Sequence, residues 1–70
     1  MKYEELSFIY LHNTDLAVLV TETEDEEGPD VWIPLSVINE GNEIDFNDYD
    51  RGDLIELEVA VRFAHQEGLI

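Results

Sequence analysis

The residues with the most chemical potential in this chain are its carboxylates. Eighteen Asp and Glu face three Lys and Arg over 70 residues, a formal charge of −15. Residues 22–58 hold fourteen of those acids and one base, Arg51, whereas residues 59–70 balance to zero. A first cluster comprises Glu22, Glu24, Asp25, Glu26, Glu27 and Asp30, and a second Glu43, Asp45, Asp48, Asp50, Asp53, Glu56 and Glu58. On a strand, carboxylates two residues apart, such as Glu22 with Glu24 or Glu56 with Glu58, lie roughly 6.5–7 Å apart on one face. Confined to half of the ~4,500 Å² surface of a chain this size, the net charge reaches one per ~150 Å², within a factor of two of duplex DNA. Such a surface is steered onto Lys/Arg-lined nucleic-acid grooves, each carboxylate taking the part of a phosphate. Asp53 has a local alternative, an ion pair with Arg51.

Other chemistries find less support. An EF-hand register starting at Asp45 puts Asn47 and Glu56 in ligand positions but Tyr49 and Asp50 where a ligand and a glycine are needed. Starting at Asp48 fails at Gly52 and Val59. His12 and His65 have no second histidine at ligand spacing, so surface or capping roles are expected and no metal or other cofactor. No nucleophile elbow or phosphate-cradling glycine loop occurs. With so many carboxylates, a pair at glycosidase separation arises by chance. The expectation is a protein that is not an enzyme. Arg51-Gly52-Asp53 spells an adhesion tripeptide but reads as a turn into the following strand.

These residues need a frame, and the sequence supplies a thin one. A 70-residue chain buries only about 60% of its unfolded surface, and this one has no cysteine to staple it. Its 44% apolar content nevertheless argues against disorder. Leu6–Leu11 and Leu16–Val20 read as paired strands. The turn between them spans His12–Asp15, with Asn13 able to adopt a left-handed conformation. Leu16–Val20 is apolar throughout, as for a strand covered on both sides.

Val31-Trp32-Ile33 reads as a third strand stopped by Pro34, with Trp32 read as core and a partner-binding hot spot as its alternative. Asn39–Asn42 is a turn by composition. Glu43–Asp53 is a loop pinned by Ile44, Phe46 and Tyr49. Leu54–Val59 alternates, with Ile55, Leu57 and Val59 inward and Glu56 and Glu58 outward. Ala60–Glu67 has helical spacing, with Gly68 as its cap and Leu69 folding back. The expected fold is α+β: a single domain, residues 1–70, with about four antiparallel strands, barrel-like in one version, and a C-terminal helix on the sheet. The longest apolar run is too short to span a bilayer, and no signal-peptide pattern opens the sequence. A soluble, cytoplasmic, membrane-free protein is therefore expected.

Trp32-Ile33-Pro34-x-Ser36-x-Ile38, with Phe63-Ala64-x-x-x-Gly68-Leu69-Ile70, resembles a group of short phage and prophage proteins. Those carry a Trp-Ile-Pro-basic-Ser motif and end in an aromatic-x-Ala helix closed by Gly-Leu-Ile. The resemblance covers about half the chain; Leu35 replaces the usual basic residue and Phe63 the commoner tryptophan. It implies a phage setting, where small acidic anti-CRISPR and anti-restriction proteins imitate DNA. The expected function is inhibition of a basic nucleic-acid-binding protein, a CRISPR effector or another defence nuclease, by a monomer that does not itself bind nucleic acid. The competing readings are a solvated or halophilic structural module and an adaptor for a basic transcription or replication protein. Clustering favours mimicry, since a solvating coat has no reason to leave the chain's ends nearly neutral.

Overall fold

In the computed structural model, which describes residues 2–22 and 30–70, four antiparallel strands form one open sheet. Strands β1 (Tyr3–Asn13), β2 (Ala17–Glu22), β3 (Val31–Pro34) and β4 (Leu54–Ala60) lie in the order β3-β2-β1-β4. The sheet does not close, so the barrel-like version of the expected fold is set aside. One helix, α1 (Val61–Gln66), and three single-turn 3-10 helices at Leu35–Val37, Gly41–Glu43 and Phe46–Asp48 complete the fold.

β1 is longer than its apolar run suggests because β4 pairs with it from Ile9↔Leu54 out to Tyr3↔Ala60. It also continues through His12 and Asn13, after a bulge between Tyr10 and His12. Asn13 is thus a strand residue, accepting a hydrogen bond from the Tyr10 hydroxyl, and does not turn left-handed. Thr14 closes the hairpin instead. Its amide donates to the Ala17 carbonyl (2.8 Å) and its hydroxyl accepts from the Ala17 amide (3.2 Å). Leu16 is consequently in the turn and 80% exposed, outside the strand expected to contain it.

The core lies on one face only. β4 shows the expected alternation, with Ile55, Leu57 and Val59 buried and Glu56 and Glu58 exposed. Phe8 and Tyr10 of β1, Val18 and Val20 of β2, and Ile33 of β3 join them. Since Val18 and Val20 face inward, Ala17, Leu19 and Thr21 face the other way; Ala17 and Leu19 stay partly exposed while Thr21 is buried, so the second side of β2 is covered only in part. The same parity overturns the core assignment of Trp32. Ile33 opposite Val18 is fully buried, so its neighbour Trp32 points outward, 47% exposed.

The covering layer comes from residues 35–49 and α1. Ile38 bridges to Val59, and the Asn39 amide donates to the Glu58 carbonyl (2.8 Å), which covers the edge of β4. Gly41 follows, where a Cβ would sit 2.4 Å from the Leu35 carbonyl oxygen, so the close approach admits only glycine. Phe46 inserts into the core, Ile44 packs partly against it, and Tyr49 sits at the rim against Tyr10 and Phe46.

The chain ends in the expected glycine cap. Gly68 (φ 71°) donates to the His65 carbonyl and Leu69 to that of Ala64 (2.8 Å), while Leu69 packs on the core. Among the described residues, no helix is long and apolar enough to cross a membrane.

Because Ile33 is fully buried and Leu16 is not, their truncations should differ sharply. Ile33→Ala should destabilise by about 2–5 kcal/mol and Leu16→Ala by no more than about 0.5 kcal/mol, measured by urea denaturation.

Candidate functional site

The strand register that builds the core also decides which side chains share the opposite, uncovered face. On β4 these are Leu54, Glu56 and Glu58; on β1 they are Tyr3, Glu5, Ser7 and Ile9. Glu5 is directly opposite Glu58, and Ser7 opposite Glu56. Cβ atoms of such cross-strand partners stand about 4.5–5.5 Å apart, so three carboxylates crowd into one patch. The Asn39 side-chain amide donates to Glu58 (3.2 Å). Beyond it, Glu40 and Glu43 join Glu5, Glu56 and Glu58 along one open groove.

The crowding registers in protonation. The Glu5 carboxyl is raised above its ordinary value, first by a hydrogen bond shared with Glu56. Repulsion from Glu56, slight desolvation and weaker repulsion from Glu58 add to this. Glu5 holds its proton more tightly than a free glutamate chiefly because that proton bonds to Glu56, and also because losing it places a third negative charge in the patch.

The second acidic cluster therefore divides. Glu43, Glu56 and Glu58 come together with Glu5 and Glu40, which the sequence reading missed. Asp45 instead caps the Phe46–Asp48 turn, accepting from the Asn47 amide (3.0 Å), and Asp48 lies exposed on that turn. Asp50 and Asp53 close the turn into β4. The Asp53 carboxylate accepts from the Asp50 amide (2.9 Å) rather than being reserved for Arg51. The Arg51-Gly52-Asp53 triplet is a turn, as its composition suggests, with Gly52 at φ 99° and donating to the Tyr10 carbonyl.

Of the first cluster, Glu22 ends β2 opposite Phe8 and Asp30 precedes β3, both exposed. Glu24, Asp25, Glu26 and Glu27 lie outside the described residues. Among the described residues, no three or more His, Asp or Glu are arranged to hold a metal ion.

Glu5 could be found by carrying the β1 alternation back from Ile9 through Ser7. What pairs it with Glu58 is a long-range register that local sequence does not specify. Glu40 gives no such signal; it occupies a left-handed conformation (φ 56°) in a turn read only by composition. His12 lies in β1 rather than in a turn, its ring 6.4 Å from that of Trp32 and nearly perpendicular to it. His65 is exposed in the last turn of α1.

A glutamate whose pKa is raised in the fold destabilises the native state once it ionises. That penalty is absent below the unfolded value, grows as pH rises through the raised one, and is fully present at neutrality. Glu5→Gln should therefore melt above the native protein at pH 7, and the difference should vanish near pH 4, as followed by thermal denaturation across that range. No protein-family model, curated protein or solved structure matches this chain.

Proposed function

We propose that this protein is a non-enzymatic inhibitor that occupies the Lys/Arg-lined groove of a nucleic-acid-binding protein, its carboxylates standing in for phosphates. The observation that carries the reading is Glu5 stacked across from Glu58 with Glu56 beside them. Like charges opposite one another in a ladder destabilise a sheet. A coat serving only hydration could distribute its acids to avoid that cost, whereas a surface matched to a row of cations requires them together.

The groove with Glu40 and Glu43 extends the row past the edge of β4. Glu22 and Asp30 mark a second acidic end beside β2 and β3. Direct binding to nucleic acid is opposed by charge, and the activity calls for no cofactor. Taken with the resemblance to phage proteins, the target is a host defence complex: a CRISPR effector or another DNA-binding nuclease of that kind. The protein blocks it by preventing target DNA from entering.

The test is a gel-shift assay in which candidate CRISPR complexes are incubated with the protein before target DNA is added. DNA binding should fall with the native chain and recover with the double variant Glu56→Lys, Glu58→Lys, whose fold is checked by circular dichroism. The inhibitor's affinity should drop at least about tenfold between low and moderate salt, as counterion-driven contacts do. Unimpaired DNA binding across the candidate complexes, or inhibition indifferent to both salt and charge reversal, would refute the mimicry.

A further inference from the structure

Away from the glutamates, the face opposite the core turns apolar and aromatic. His12 of β1, Leu19 of β2 and Trp32 of β3 stand opposite one another in a row across three strands. The imidazole contact orients the indole without burying it, leaving Trp32 47% exposed. Asp30, also exposed, lies two residues before Trp32.

The adjacent sheet edge offers little by comparison. Leu35 donates to the Leu16 carbonyl (2.9 Å), and the alternation of an antiparallel ladder then turns the polar groups of Trp32 and Pro34 toward the free edge. Pro34 has no N–H, so within β3 only Trp32 can donate to an added strand. The face, rather than the edge, is the surface with something to offer a partner.

Charge identifies that partner. A second copy would bring another −15 against this one. A guanidinium satisfies both features of the face: it is planar, weakly hydrated, stacks on indole, and donates to carboxylates. We propose that Trp32 is an arginine-reading anchor, with the exposed Trp32 and the carboxylates of its face docking an arginine-bearing segment of a basic protein. One guanidinium lies on the Trp32 ring, and further basic residues reach the Glu5, Glu56 and Glu58 patch, about 23 Å along β1 from His12. Arg51, on the rim of a groove with Ile9, Leu11 and Thr21, puts a positive charge between the two ends and keeps them separate contacts. This deepens, and rests on, the electrostatic function proposed above. Carboxylates already favour arginine through bidentate bonds, and an indole face adds a stacking preference to that.

Trp32 is the chain's single tryptophan, so its fluorescence reports on this spot alone. The native protein is titrated at low salt with nona-arginine and nona-lysine, following Trp32 emission and the amide shifts of Glu5, Glu56 and Glu58. Nona-arginine should perturb both ends and bind about two- to fivefold more tightly than nona-lysine. Trp32→Leu, with an otherwise native amide spectrum, should lower that preference while the glutamate shifts persist, and an unchanged preference overturns the anchor. If Trp32→Leu does not fold, Trp32→Phe must show a reduced preference. Equal affinities, or responses confined to the glutamates, overturn the anchor but leave the electrostatic reading standing. Silence at both ends overturns both. Sedimentation showing a dimer that covers Trp32 also overturns the anchor.

Discussion

The pairing of β1 with β4 is the constraint from which the rest of the molecule follows. Side chains alternate along both strands, so seating Leu6 on Leu57 and Phe8 on Ile55 in the core obliges Glu5 to meet Glu58 on the opposite side. The apolar contacts and the carboxylate patch are two sides of a single register. A slip of one residue would bury glutamates and expose the core, so the hydrophobic effect holds the like charges together against their own repulsion. The acidic surface is thereby a rigid feature of the sheet, not a loose accumulation of charge.

That arrangement is demanding for so small a domain. One face of the sheet supplies nearly all the burial, and the covering layer is assembled from short turns and a helix of six residues. Its integrity depends on close fits: Gly41 against the Leu35 carbonyl, Ile38 bridged to Val59, and Leu69 returned to the core by the Gly68 cap. Local devices of this kind let few residues close a core, while the second face leaves Glu5, Glu56, Glu58 and Trp32 exposed.

Features governed by neighbours in sequence were legible in it. The alternation of β4 and the glycine cap of α1 depend on periods and conformations that a few adjacent residues determine, and both formed where expected. Trp32 was misplaced because Val31-Trp32-Ile33 is apolar throughout, and composition cannot say which parity faces the core; the pairing of Ile33 with Val18 decides it. Asn13 looked like the turn residue, yet the Thr14 hydroxyl closed the hairpin one position later. The carboxylate patch was half visible. Glu56 and Glu58 follow from alternation, but Glu5 and Glu40 reach them through pairings spanning roughly fifty and twenty residues of chain, beyond any local pattern.

The two exposed edges of this sheet are blunted by different means, and the difference bears on how it can be bound. Residues Ile38 and Asn39 lie along β4 and occupy part of its ladder, whereas β3 is only four residues long and ends in proline. Strand addition, the common route by which a small sheet recruits a partner, is thus disfavoured at both sides. The broad face between them, partly shielded at Thr21, carries both the carboxylates and the indole. A partner held there is recognised by side-chain chemistry rather than by backbone pairing, so its selection depends on where its cations and planar groups lie. On the proposed function the net charge becomes intelligible: it would bring basic surfaces to the face, and the few residues fixed by register would determine which of them stay.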